Sequence, residues 1–218
     1  MIIHLGEAYS YASDIIIELR DKEIQNDRSR FRNNLERVGF IAGYEISKKL
    51  SFIEVTTSTS LGDSLEKKIQ NQPVIVSILR AGLHLHNGLL KCFDHADSSF
   101  VSAYRKHSYN DENEFSIEIE YVSCPDLEGR TLIIADPMIA TGASINMVLT
   151  ELLKYGKPQS IHIVGVIASE AGLEYISRKW SQATIWIFAI DDELTAKGYI
   201  VPGLGDAGDL CFGEKLQN

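Results

Sequence analysis

Cysteine is scarce. Cys92, Cys124 and Cys211 are odd in number, widely separated and in no C-x-x-C pair, which argues against both a disulfide framework and a thiolate zinc site. Reduced and mostly buried thiols are expected. Basic charge is also short: 21 Lys and Arg stand against 30 Asp and Glu, a formal net charge of -9. The broad basic face of a nucleic-acid binder is therefore not expected. A small anionic ligand stays compatible, because a few amides and arginines can oppose the global field locally. No run of about 18 apolar residues occurs, and the N-terminal "MIIHLGEAYSYASD" has no basic region leading into a long apolar stretch. A soluble, cytoplasmic chain without a membrane partner is expected. The small-residue turn within residues 135–156 is neither a Walker A loop, since no Gly-Lys-Ser/Thr follows, nor a G-x-G-x-x-G fingerprint.

What is present suits one α/β core, since 218 residues with 44% hydrophobic content are ample for a single domain spanning 1–218. Helical spacing predicts helices over Ser10–Arg20 and Arg28–Leu50, the second with Phe31, Leu35, Val38, Ile41, Ala42 and Ile46 on one side. The polar stretch between them reads as a solvated loop, with Arg30 and Arg32 in reach of a neighbouring subunit. "PVIVSILRAG", residues 73–82, reads as a buried strand opening into a tight loop, and "SFVSAY", residues 99–104, as another strand. Alternation at Phe115, Ile117, Ile119 and Tyr121 predicts a two-stranded arm with one face covered, at about 105–125. Strands near 131–135, 161–167 and 184–190, separated by helices of about a dozen residues, imply crossover units. The fold class expected is α/β, a mainly parallel sheet flanked by helices, with a β-arm or hood.

"ADPMIATGASINMVLTELLKYG", residues 135–156, places Asp136 at the end of an apolar strand, where ligands of parallel sheets collect. The small residues Ala140, Thr141, Gly142, Ala143 and Ser144 then lead into a helix. Their amides can close on a phosphate, the helix N-terminus adds favourable partial charge, and Thr141 and Ser144 add hydroxyl donors. With Asp136 accepting hydrogen bonds from sugar hydroxyls, the ligand expected is a phosphoribosyl group. The competing structural role for Asp136 and Ser144 is to cap the helix. Arg80 and Arg105, each after a strand, are planar multi-donor cations suited to diphosphate oxygens. Ala81 and Gly82 are expected to let main chain approach that group closely.

"DPMIATGAS" resembles the phosphate loop of the uracil phosphoribosyltransferases, type I phosphoribosyltransferases. "ILRAGL" (78–83), "YR" (104–105) and "GYIVPGLGDAGDLCFG" (198–213) carry the same resemblance in the same order, with a weaker likeness in "FRNNLERVGFIAGYEI". The resemblance implies transfer of ribose 5-phosphate from 5-phosphoribosyl 1-diphosphate to uracil, giving uridine monophosphate and diphosphate in pyrimidine salvage. It assigns donor binding to Arg80, Arg105, Asp136, Pro137, Met138, Ile139, Ala140, Thr141, Gly142, Ala143, Ser144 and Asp206. Uracil falls to Ile200, Gly205, Asp206 and Ala207, and catalysis to Asp136, Arg105 and Asp206. Tyr199 reads as a core tyrosine, with packing on the base ring as the alternative. Mg2+ is the cofactor implied, bound to substrate oxygens and water with Asp206 nearby and no dedicated protein cage. A homodimer or higher homo-oligomer, through the arm or the N-terminal helices, is implied as well. A GTP-type effector is compatible with the family but not derivable from these residues.

The match is uneven. After "RAGL" the chain reads "HLHNG", so that His84, His86 and Asn87 stand where the family has small and apolar residues followed by an aspartate. His84 reads either as a phosphate donor or as an exposed or capping histidine. Leu210 and Glu214 replace an arginine and a threonine of the family pattern, Ala143 a glycine, and the arm after Arg105 is longer. These departures leave two alternatives open: a homologue that binds donor or nucleotide without turnover, and a transferase for another base.

Overall fold

The computed structural model describes residues 1–108 and 111–215, apart from the side chains of 103–118. After β1 (Ile2–His4), Ser10 caps α1 (Tyr11–Arg20), whose Ala12, Ile15 and Leu19 recur at helical spacing and are buried. Asp27 caps α2 (Arg28–Ser47), which buries Phe31, Leu35, Val38, Ala42 and Ile46, with the predicted Ile41 at the stripe's margin. Arg30 and Arg32 lie within α2, not in a loop: Arg30 pairs with Glu18, and Arg32 donates to the Cys211 carbonyl at 2.9 Å. An exposed antiparallel hairpin, β2 (Phe52–Ser58) and β3 (Asp63–Ile69), follows, for which the sequence reading had no expectation.

The remaining elements are β4 (Val74–Leu79), α3 (Leu83–Cys92), β5 (Asp97–Ser108), β6 (Asp111–Ser123), β7 (Thr131–Ala135) and β8 (Met138–Ile139). Then come α4 (Ala143–Leu152), β9 (Ser160–Ser169), α5 (Glu170–Lys179), β10 (Thr184–Asp191), β11 (Glu193–Leu194), β12 (Ile200–Val201) and α6 (Ala207–Phe212). The main sheet runs β1-β10-β9-β7-β4-β5-β6, with the short β8 on β9. Every pairing in it is parallel except β5 with β6. The parallel strands are apolar on both faces because helices cover both. Packed on one face are α1, α2 and α3, against Ile75, Ile133, Val164 and Trp186. Helices α4 and α5 cover the other, against Val76, Leu132, Ile134 and Ile163.

The arm is an antiparallel pair continuous with the sheet, since β5 begins as its parallel strand and runs on into the hairpin. A register irregularity after Ser102 resets the alternation. Ile119 and Val122 consequently pack on the core while Tyr121 is exposed. Phe115 and Ile117 have side chains outside the described residues. Among the described residues no helix is long and apolar enough to cross a membrane.

Candidate active site

Strand β4 continues through α3 to β5 on one side, whereas its neighbour β7 continues through α4 to β9 on the other. The chain therefore diverges at β4 and β7, and a crevice opens at their carboxyl ends, where parallel sheets bind ligands. Ser77 pairs with Ala135, so the Arg80 loop and the Asp136 loop leave the sheet side by side.

The Asp136 loop is fixed by main chain. The Asp136 amide donates to the Val164 carbonyl at 3.1 Å, and the Pro137 carbonyl accepts from Val166 and Ile167, both at 3.0 Å. Met138 and Ile139 pair with Ile167 and Ala168. Pro137 and Ile139 are buried beneath the loop. The Ser169 hydroxyl donates to the Ala140 carbonyl at 2.6 Å and accepts from the Gly172 amide at 2.9 Å, binding the loop to the start of α5. Ser169 escaped the sequence reading, and only its place as a helix cap hints at it.

Gly142 is the N-cap of α4 and sits at φ 76°, with no side-chain hydrogen bond to the helix start. A Cβ there would lie 2.7 Å from Ile176 Cγ1, so glycine is required by both conformation and space. The capping role considered for Ser144 and Asp136 accordingly goes to a glycine without a side chain, which leaves first-turn amides of α4 facing the loop. The Thr141 hydroxyl accepts from the Ala143 amide at 3.3 Å, and Asp136 Oδ1 from the Met138 amide at 3.3 Å. Asp136, Met138, Ala140, Thr141, Gly142, Ser144 and Ile145 line one hollow.

Across the divergence, Arg80 is exposed and its guanidinium donates to Asp209 Oδ1 at 2.8 Å. The space left by Gly82 is filled by the protein itself: a Cβ would meet the Ala135 carbonyl at 2.4 Å. The glycine allows the Arg80 loop to lie against the end of β7. The side chain of Arg105 lies outside the described residues, although its backbone belongs to β5.

The segment after β10 forms the third side. Ile200 is buried and pairs with Leu194, Gly205 is exposed at φ 91°, and Asp206 caps α6 by accepting from the Asp209 amide at 3.0 Å. Ala207 is buried at the start of α6. Arg20 grips both carboxylate oxygens of buried Asp191 at 2.9 and 2.7 Å and donates to the Gly203 carbonyl at 3.1 Å. Asp191 in turn accepts from the Gly203 amide at 2.9 Å. Tyr199 is exposed, contrary to the core position expected of it. Ile190, Asp191, Asp192, Glu193, Val201 and Pro202 line a separate open hollow of about 330 Å³ on this segment.

His84 is neither exposed nor a helix cap. It is half-buried, its Nδ1 lies 3.1 Å from Glu36 Oε1, and its ring stacks on Phe212. His86 is fully buried against Phe100, where burial holds its pKa below the usual histidine value. Leu210 packs at the edge of the core, Asn87 is half-buried and Glu214 is exposed. All three cysteines are free thiols, with Cys211 buried and the other two half-buried.

Among the described residues no group of three or more His, Cys, Asp or Glu converges as a metal site. Near the crevice, Asp206 Oδ1 is engaged in capping and Asp209 Oδ1 in the Arg80 pair. This donor set suits a hard cation whose shell comes mainly from substrate oxygens and water, rather than a protein cage.

The mainly parallel sheet, with a loop on a helix N-terminus at its divergence point, is that of the type I phosphoribosyltransferases. The solved purine phosphoribosyltransferase of Pyrococcus horikoshii has the same fold, at a TM-score of 0.50 and 16% identity over 73% of this chain and 90% of that one. The Aquifex aeolicus protein AQ2163 is nearer, with a TM-score of 0.87 and 29% identity over 99% of this chain and 100% of that one. Residues 10–214 match the family described as Uracil phosphoribosyltransferase. A uracil phosphoribosyltransferase of Porphyromonas gingivalis is 49% identical over 99% of both chains. That of Pyrococcus furiosus is 40% identical over 99% of this chain and 91% of its own. The chain belongs to the uracil phosphoribosyltransferase family.

Proposed function

We propose that the protein transfers the 5-phosphoribosyl group of 5-phosphoribosyl 1-diphosphate to uracil, forming uridine monophosphate and diphosphate in pyrimidine salvage. The observation that carries this is the start of α4: a glycine N-cap in the left-handed region, no capping side chain, and a carboxylate at the preceding strand end. Such an arrangement receives a sugar's 5′-phosphate on amides and its hydroxyls on Asp136.

In this reading Ala140 to Ser144 hold the phosphate, and Asp136 orients the ribose. Arg80 and Arg105 draw the diphosphate away as the anomeric C–O bond breaks. The base is held by main chain from Ile200 to Ala207, its ring nitrogen facing the anomeric carbon. There the C–N bond forms and the ring N–H proton is released. Cationic character on the sugar and negative charge on the leaving group both need fixed partners, and such preoriented groups dominate rate enhancement. Mg2+ carried on the diphosphate, with Asp206 beside it, would neutralise part of that charge. Action in the cytoplasm as a homodimer or larger homo-oligomer completes the proposal.

The test is conversion of radiolabelled uracil in the presence of donor and Mg2+. Uracil-dependent diphosphate release is expected, with Arg105→Ala lowering turnover at unchanged thermal stability. Donor binding without turnover, or turnover only with another base, would overturn the assignment.

A further inference from the structure

Arg80 is held by α6, the helix whose first residues belong to the base segment. Its guanidinium pairs with Asp209 at 2.8 Å and lies 5.9 Å from the centre of the Phe212 ring. Phe212 also stacks on His84, with centroids 5.4 Å apart and planes inclined by 25°. His84 is itself fixed, since its Nδ1 meets a Glu36 carboxylate whose other oxygen takes Lys91 Nζ at 2.6 Å. Burial alone would raise the Glu36 pKa, but the hydrogen bonds from Lys91 and His84 outweigh it and hold the carboxylate below its ordinary range. A continuous chain of contacts thus joins α2, the start of α3, Arg80 and α6. His84 is one of the positions where the sequence departs from its family pattern.

Resting on the proposed function, we propose that His84 and Phe212 are positioning residues that make the diphosphate arginine and the base segment one mechanical unit, so that occupancy of the diphosphate side tightens uracil binding. Diphosphate oxygens compete with Asp209 for the same guanidinium. When Arg80 turns to them, α6 loses one tie and keeps the ring stack, so its resting position follows the state of Arg80. Coupling between two sites requires such a shared element with two arrangements.

Calorimetry of uracil binding with and without inorganic diphosphate and Mg2+ tests this on the full chain. The expected wild-type result is uracil binding tightened by about tenfold when diphosphate is present, within the usual range of couplings. His84→Ala and Phe212→Leu should cut the enhancement below about threefold and raise the uracil KM with kcat nearly unchanged, while Phe212→Tyr should restore it. A residue with only a structural role would lower the melting temperature and leave the enhancement intact. Enhancement that persists in both variants, or is missing from a wild-type protein that binds uracil, overturns the inference and leaves the functional reading standing. Wild-type protein that binds neither uracil nor diphosphate overturns both.

Discussion

The phosphate loop and the base segment face one crevice, yet they are held by different means. The loop from Asp136 to Ser144 hangs on main-chain bonds to β9 and on the Ser169 hydroxyl, all from elements adjacent in the sheet. The segment from Ile200 to Phe212 is tied by side chains of distant helices: Arg20 through Asp191, Arg32 at Cys211, and Arg80 at Asp209. In the proposed reading, backbone anchoring suits the part that holds the phosphoribosyl group. Side-chain anchoring can be retuned residue by residue, which suits the part that distinguishes one base from another.

The largest effect expected on this contrast is at the loop. Asp136→Asn should lower kcat/KM by about 10²-fold or more, since it removes a charged partner of the reacting sugar, while the melting temperature stays put. An intact rate would show that the loop's carboxylate is a spectator.

Next comes Arg20→Met, which leaves Asp191 buried without its cation. Removing one partner of a buried pair costs about 3 kcal/mol, measurable in urea denaturation, and the uracil KM should rise more than the donor KM. Equal rises would erase the distinction between the regions.

Acid should affect both regions together, through the buried histidines of β9 and α3. Burial pushes His162 down to about 4, and His86 in the same direction. An unfolded histidine titrates near 6.5, so between about 6.5 and 4 the unfolded chain binds more protons. Stability is therefore full above that window and falls as pH drops through it. A denaturation midpoint flat from pH 7 to 4 would contradict this.

The smallest effect concerns Cys211, whose thiol burial pushes up to about 12. Native protein at pH 8 should label at this residue far more slowly than a free thiol does. Arg32→Ala, which removes the bond to its carbonyl, should speed labelling severalfold without altering that of Cys124. Equal acceleration at both would mean the segment does not open on its own.

The parallel core and the phosphate loop were legible in sequence because both depend on local signals. Apolar runs mark β4, β7, β9 and β10, and small residues between a strand and a helix mark the loop. The exposed hairpin β2–β3 was not, since its strands carry mixed polar and apolar residues with little periodicity. Tyr121 and Tyr199 were misjudged for different reasons. An irregularity in pairing shifted the first, and a hydrophobic character was taken for burial in the second. The ties of Arg20, Arg32 and Glu36 were invisible because each joins residues far apart in the chain, which no window of sequence compares. His84 fared similarly, since its partners come from α2 and α6.

The bond from Arg20 to Gly203 spans 183 positions. During synthesis, the residues from Asp136 to Ser169 emerge before the segment from Ile200 to Phe212, so that holder has all its parts while that segment is still being made. That final stretch must then dock on helices completed long before, and such distant contacts are slow to form. The Arg20, Arg32 and Arg80 ties consequently form only after the elements that carry those arginines.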